Sequence, residues 1–146
     1  MEVKDIEANL KGTITEFKVL TYFMEHGYYV SVPQSPCRYD FILDYNNKLY
    51  RIQTKTSSVI DGNSIKISTS SSRPNGKAKH KHISYKEDNI DFFCTIFENE
   101  CYLIPVNACG KDMCRLHLLP PQNGQIKNIR FAKDFQALKI LNTLNK

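Results

Sequence analysis

The sequence predicts an α/β fold, in the α+β sense of one mixed sheet with a helix at each end of the chain. Three observations carry that prediction. Apolar residues recur every three or four positions through 5–26, β-branched and aromatic segments broken by turn residues fill the middle, and a second helical pattern runs through 131–144. The chain has 146 residues, the length of one ordinary domain, so residues 1–146 are expected to form a single unit.

The first helix rests on Ile6, Leu10, Thr13, Phe17, Leu20 and Met24, with Gly27 as its stop. Tyr28–Pro33 has strand character and is closed by its proline. Tyr39–Tyr45 and Lys48–Thr56 read as two strands around Asn46-Asn47, a pair that tolerates the left-handed backbone of a two-residue hairpin turn. Ser64–Ser68 is a further short strand. Asp91–Phe97 and Cys101–Val106 form a second hairpin around Glu98-Asn99-Glu100, and Arg115–Leu119 adds one more strand. Phe131, Phe135, Leu138, Ile140 and Leu141 mark the apolar side of the closing helix.

Composition removes several function classes. No apolar run approaches the ~20 residues of a membrane span. The N-terminus MEVKDIEANLKG mixes acid and base, unlike a secretory signal. The five cysteines (Cys37, Cys94, Cys101, Cys109, Cys114) are odd in number and lack CxxC spacing, so neither a disulfide framework nor a zinc ribbon is expected, and a reducing cytoplasm is. A net charge of +5, from 20 Lys+Arg against 15 Asp+Glu, points only weakly to an anionic partner.

The first hairpin yields more. With Asn46 and Asn47 as the turn, Tyr45 faces Lys48, Ile42 faces Arg51 and Asp40 faces Gln53. Alternation then puts Asp40, Gln53 and Lys55 on one face, and Phe41, Leu43, Tyr50 and Ile52 on the other, which suits a core. Asp40 and the Gln53 side-chain carbonyl are hard oxygen ligands suited to Mg²⁺. A bound metal polarises a phosphoryl oxygen and acidifies water, and the Lys55 ammonium can hold that water or stabilise charge developing on a phosphate. That set describes metal-dependent phosphodiester hydrolysis; a solvated hairpin face with ordinary charges is the competing reading. Glu16 joins it from the first helix, with Leu20 and Phe23 one and two turns along the same side, at the margin of the buried face.

Glu16, Tyr39-Asp40 and Gln53-Thr54-Lys55, in that order along the chain, resemble the PD-(D/E)XK nuclease superfamily. Its core is a helix followed by a β-hairpin carrying D and (D/E)xK. Within it, the chain looks most like the small endonucleases encoded by group I introns, where Gln replaces the acid before the lysine, as Gln53 does here. The resemblance runs from KGTITEFKVLTYFMEHGYYVSVP through YDFILDYNNKLYRIQTKT to YKEDNIDFFCTIFENECYLIPV and weakens after about residue 110. It implies a restriction-endonuclease-like core acting on double-stranded DNA with Mg²⁺ (or Mn²⁺). By position, Asp40 would be the shared metal-binding aspartate, Glu16 the helix carboxylate, Gln53 and the Thr54 backbone carbonyl further metal ligands, and Lys55 the catalytic lysine. Tyr39 stands where the family has proline, and Gln53 removes one negative charge from the site.

From Gly62 to Lys86 there is no acidic residue, while Lys66, Arg73, Lys77, Lys79, Lys81 and Lys86 carry positive charge. Pro74 and Gly76 suggest a basic loop at about 68–86, flanking the site and offering Arg73, Lys77, Lys79, Lys81 and Lys86 to phosphates. His80 and His82 read as polar members of that loop, not metal ligands. Asp91 is expected to cap or brace a basic residue. One small domain covers about half of a two-fold-related DNA site, so a homo-oligomer, dimer or tetramer, is expected. A site-specific, intron-homing endonuclease leads the functional expectations. A Holliday-junction resolvase, a restriction-type nuclease, a catalytically silent DNA-binding module of this fold, and a basic domain with no DNA role are the others.

Overall fold

A computed structural model describes residues 7–75, 79–84 and 89–145, with backbone alone at 71–75 and 79–84. Helix α1 (Ala8–Glu25) lies within the helical segment the sequence predicts. It ends as expected at Gly27, whose φ of +85° is a left-handed conformation that suits glycine. There Tyr28 N–H donates to the Phe23 carbonyl at 2.9 Å and Gly27 N–H to the Met24 carbonyl at 3.0 Å.

The buried face of α1 differs from the expected stripe. Thr15, Val19, Tyr22 and Phe23 face inward, whereas Leu10, Phe17 and Met24 are 53%, 65% and 53% exposed. Two apolar rows share this helix, and periodicity alone cannot rank them. The row carrying the larger inward aromatics, Tyr22 and Phe23, packs on the sheet.

Ten strands follow among the described residues: β1 (Tyr29–Ser31), β2 (Phe41–Tyr45), β3 (Lys48–Thr54), β4 (Ser58–Ile60), β5 (Ser64–Ser68), β6 (Ser70–Asn75), β7 (Lys79–Ser84), β8 (Phe92–Phe97), β9 (Glu100–Pro105) and β10 (Met113–His117). The main sheet has the order β1-β2-β3-β8-β9 and is mixed, because β3 and β8 run parallel while the other neighbours are antiparallel. A second sheet, β10-β5-β4, and the β6–β7 pair complete the strands.

The β2–β3 register is the expected one: Tyr45 pairs with Lys48, Asp44 with Leu49, Ile42 with Arg51 and Phe41 with Ile52. Asn46 and Asn47 carry φ of 51° and 63°, a two-residue turn with both residues left-handed. Glu98 and Asn99 repeat this at 49° and 66°. The second hairpin turn therefore holds two residues, not three, and Glu100 begins β9.

Alternation gives the main sheet two cores. Phe41, Leu43, Ile52, Cys94 and Leu103 meet Val19, Tyr22 and Phe23 of α1 and Ala137 and Leu141 of α2 (Ala137–Thr143). Phe93, Tyr102 and Ile104, on the other face, meet Ile65, Ile67, Cys114 and Leu116 of the second sheet. The helices thus cover one side and the small sheet the other. Asp91 braces the centre as expected: its carboxylate accepts the Arg51 backbone N–H at 2.7 Å and pairs with the Arg51 guanidinium at 3.3 Å.

Three predicted elements change. The closing helix 131–144 is split into a 3-10 turn (Ala132–Phe135) and α2, because Gln136 is extended, with ψ of 133°, and bridges Tyr102 of β9. The last strand is Met113–His117, two residues earlier than predicted, set by pairing of Met113 with Ser68 and His117 with Ser64. The stretch expected as a basic loop at 68–86 is for most of its length the β6–β7 hairpin, with Ser70 opposite Ser84 and Asn75 opposite Lys79. Pro74 is compatible with that hairpin because each strand of a two-stranded pair has an open edge, where a missing N–H costs little.

Candidate active site

Helix α1 and the start of β2 and end of β3 converge on one place. Asp40 immediately precedes β2, and its N–H donates to the Ile52 carbonyl at 2.8 Å, carrying the ladder one step past the strand. Its Oδ2 accepts the Thr54 N–H at 2.7 Å and the Thr54 hydroxyl at 2.8 Å. Strict alternation assigns Asp40 to the face of Gln53 and Lys55, yet its carboxylate turns to Thr54. Beyond the end of a strand the side chain is no longer bound by the pleat, and two hydrogen bonds decide its direction.

Glu16 reaches this carboxylate from α1. Burial, together with the Asp40 charge and a hydrogen bond to it, pushes the Glu16 carboxyl up to about 7. The helix is fixed there by neighbouring hydroxyls: Thr15 Oγ1 donates to the Lys11 carbonyl at 3.0 Å and lies 2.8 Å from Thr56 Oγ1. A hydroxyl has one proton, so Thr56 is the donor between the two.

Gln53 and Lys55 complete the group from β3 and the residue after it. Gln53 Nε2 donates to the Thr54 carbonyl at 3.3 Å. Lys55 N–H donates to the Cys94 carbonyl at 2.8 Å, extending the parallel β3–β8 ladder. The Lys55 ammonium donates to the Ser70 carbonyl at 3.0 Å. Burial lowers its pKa below the ordinary lysine range, the Asp40 carboxylate opposes that shift, and Arg38 adds to it.

Glu16, Asp40, Gln53 and Thr54 are therefore brought together, with Lys55 beside them. Of the DNA-facing residues predicted from charge, Arg73, Lys79 and Lys81 lie in β6 and β7 with only their backbones described, Arg73 opposite Lys81. Lys77 and Lys86 lie outside the described residues, and the side chains of His80 and His82 likewise. Sequence reasoning passed over three contributors: the Thr54 hydroxyl, the Thr15–Thr56 contact and the Ser70 carbonyl. The first two had a faint signal, because a threonine flanks each charged residue, in Thr15-Glu16 and Thr54-Lys55-Thr56. The third had none, being a main-chain atom.

The donor chemistry fits a hard divalent cation. Two carboxylates sit close enough to resist joint ionisation, which a cation between them would relieve. Among the described residues no three His, Cys, Asp or Glu side chains gather as a metal site. Further protein ligands would come from the Gln53 carbonyl oxygen and the Thr54 backbone carbonyl, which are also hard oxygens. A small hard cation keeps several waters and asks for few protein ligands; to join them, the Gln53 amide, whose Nε2 faces the Thr54 carbonyl, would turn its oxygen toward the cation.

Residues 6–138 match the PD-(D/E)XK endonuclease family. Among solved structures the fold resembles that of a bacterial homing endonuclease, I-Ssp6803I, with a TM-score of 0.72 and 21% sequence identity, covering 96% of this chain and 95% of that one. Among curated proteins none matches.

Proposed function

Since the chain belongs to the PD-(D/E)XK endonuclease family, we propose that it is a Mg²⁺-dependent endodeoxyribonuclease of the homing type, cutting double-stranded DNA at a specific site. The observation that carries this reading is the meeting of Glu16 with Asp40 at the mouth of the β2–β3 hairpin, with Gln53, Thr54 and Lys55 beside them. The fold shared with a homing endonuclease supports the finer assignment.

In this reading Asp40, Glu16, the Gln53 carbonyl and the Thr54 carbonyl hold the cation. When bound, Mg²⁺ (or Mn²⁺) supplies Lewis acidity toward the phosphate and a more acidic water. Thr54 holds Asp40 through two hydrogen bonds, leaving the Asp40 Oδ1 side for ligation. Lys55 offers its charge where the scissile phosphate gains negative charge. The β6–β7 hairpin, beginning at Ser70 where Lys55 is anchored, carries Arg73, Lys79 and Lys81 to the DNA backbone, with Lys77 and Lys86 nearby in sequence.

The exposed apolar residues Leu10, Phe17 and Met24 on α1 favour a homo-oligomer, dimer or tetramer. No helix among the described residues is long and apolar enough to cross a membrane. The odd cysteine count supports a cytoplasmic setting for what is read as one nuclease domain over 1–146.

Purified protein incubated with linear duplex, four-way junctions and candidate intron-insertion sites tests the assignment. Cleavage of one duplex site with Mg²⁺, and none with EDTA, is expected. Preference for the junction whatever its sequence would make it a resolvase. Tight binding without cleavage under any divalent metal would make it a silent DNA-binding module. Cleavage that survives both Asp40→Ala and Lys55→Ala overturns the site.

A further inference from the structure

The Lys55 ammonium donates to the main-chain carbonyl of Ser70 at 3.0 Å. That carbonyl belongs to the first residue of β6, so its position depends on how the chain enters the hairpin. The entry is held at Thr69, which is 3% exposed. Its N–H donates to the Asp112 carbonyl at 3.0 Å and its hydroxyl to the Gly110 carbonyl at 2.7 Å. Ser68 Oγ adds a bond to the Ser70 carbonyl at 3.2 Å.

We propose that Thr69 is a positioning residue for the nuclease reaction: clamped on the 110–112 segment, it fixes the Ser70 carbonyl that orients the Lys55 ammonium beside Asp40. The inference rests on Lys55 acting as the site's cation. A lysine side chain has four rotatable bonds and holds no direction by itself. The Ser70 carbonyl is a neutral acceptor, so this hydrogen bond directs the ammonium and takes none of its charge. Thr69 is gripped through both backbone and side chain, so the 69–70 peptide resists rotation about either. The 110–112 segment lies in the part of the chain where the family resemblance is weakest in sequence. It reaches the site through two main-chain carbonyls, a contact that leaves no side-chain signature.

Thr69→Val keeps the shape and the β-branch and removes the hydroxyl; Thr69→Ser restores it. Thr69→Val should lower kcat about tenfold with KM for DNA within about twofold, because an interaction orienting the reacting group is lost and DNA binding is not. Thr69→Ser should recover kcat to within about twofold of wild type. By ¹⁵N relaxation, the order of the Lys55 ammonium should fall in Thr69→Val and return in Thr69→Ser. In the wild-type protein, a scalar coupling between Lys55 ¹⁵Nζ and the Ser70 carbonyl carbon should be detectable across the hydrogen bond. Its absence overturns the proposal even if Thr69→Val fails to fold. Inactive Lys55→Ala alongside Thr69→Val with wild-type kcat and wild-type Lys55 order overturns this inference alone. Lys55→Ala that cleaves like wild type brings down the catalytic reading of Lys55 and this inference with it.

Discussion

The hydroxyls of Thr15 and Thr56 meet at 2.8 Å, joining the helix residue beside Glu16 to the strand-end residue beside Lys55. The contact spans 41 positions of sequence and ties the carboxylate half of the site to the lysine half. Thr56→Val removes the donor and leaves Thr15 bonded to the Lys11 carbonyl. A part-buried hydrogen bond of this kind contributes about 1 kcal/mol, so the melting temperature should fall by a few degrees. Cleavage should slow several-fold while DNA affinity, measured by gel shift in Ca²⁺, holds.

Asp40 is bound to Thr54 through both the amide and the hydroxyl. Asp40→Asn keeps a carbonyl oxygen for those donors and loses the charge. The fold should persist, with cleavage reduced by a factor of about 10² or more, because an electrostatic term at the reacting centre is lost. Asp40→Ala should in addition destabilise the protein by about 1–3 kcal/mol, since the buried Thr54 donors lose their acceptor. Urea unfolding curves of the two variants separate these effects.

Glu16 gives a pH signature in metal-free protein. Its carboxyl is pushed up to about 7 in the folded state, from an ordinary 4.5. The folded state therefore prefers the protonated form. The associated stability is complete below pH 4.5, declines as the pH rises, and is lost by passage through pH 7. Glu16→Gln should melt higher than wild type at pH 8 with EDTA, and the gap should close toward pH 4. Added Mg²⁺ should narrow the gap at pH 8 by supplying the missing countercharge. Equal melting curves at pH 8 in EDTA would remove Glu16 from the carboxylate pair.

Gln53 leaves the site one negative charge short of the acidic family pattern. Gln53→Glu should lower the Mg²⁺ concentration for half-maximal cleavage several-fold, since carboxylate binds hard cations better than amide. A metal titration of the cleavage rate at fixed DNA checks this.

The basic hairpin gives a salt prediction. Each lysine that neutralises a phosphate contributes about 0.9 to the slope of log affinity against log salt. Replacing Lys79 and Lys81 together by alanine should flatten that slope by up to about 2 if both contact backbone phosphates. An unchanged slope would move the DNA surface off β6–β7.

The sequence alone determined the parts of this protein that local chemistry controls. Asn46-Asn47 fixed the turn, the turn fixed the β2–β3 register, and the register brought Asp40 to the end of β3. Hairpin geometry brought Asp40, Gln53 and Lys55 near one another, and the family resemblance added Glu16 from the helix. Asp91 was expected to cap or brace a basic residue, but that the residue is Arg51, 40 positions away, was decided by the pairing of β3 with β8.

Tertiary structure decided whatever depended on which of two similar local choices finds a partner. Leu10, Phe17 and Met24 match helical periodicity as well as Val19, Tyr22 and Phe23 do, and packing on the sheet selected the second row. Gln136 left its predicted helix because the backbone of Tyr102 offered it a bridge. The basic stretch became a hairpin because Ser70–Asn75 and Lys79–Ser84 could pair with each other, despite Pro74. The direction of the Asp40 carboxylate, the Thr15–Thr56 contact and the Ser70 anchor of Lys55 are likewise set by atoms distant in sequence, several of them backbone atoms. Side-chain identity specifies which groups are present; the carbonyl or hydroxyl each one meets exists only once distant segments have packed.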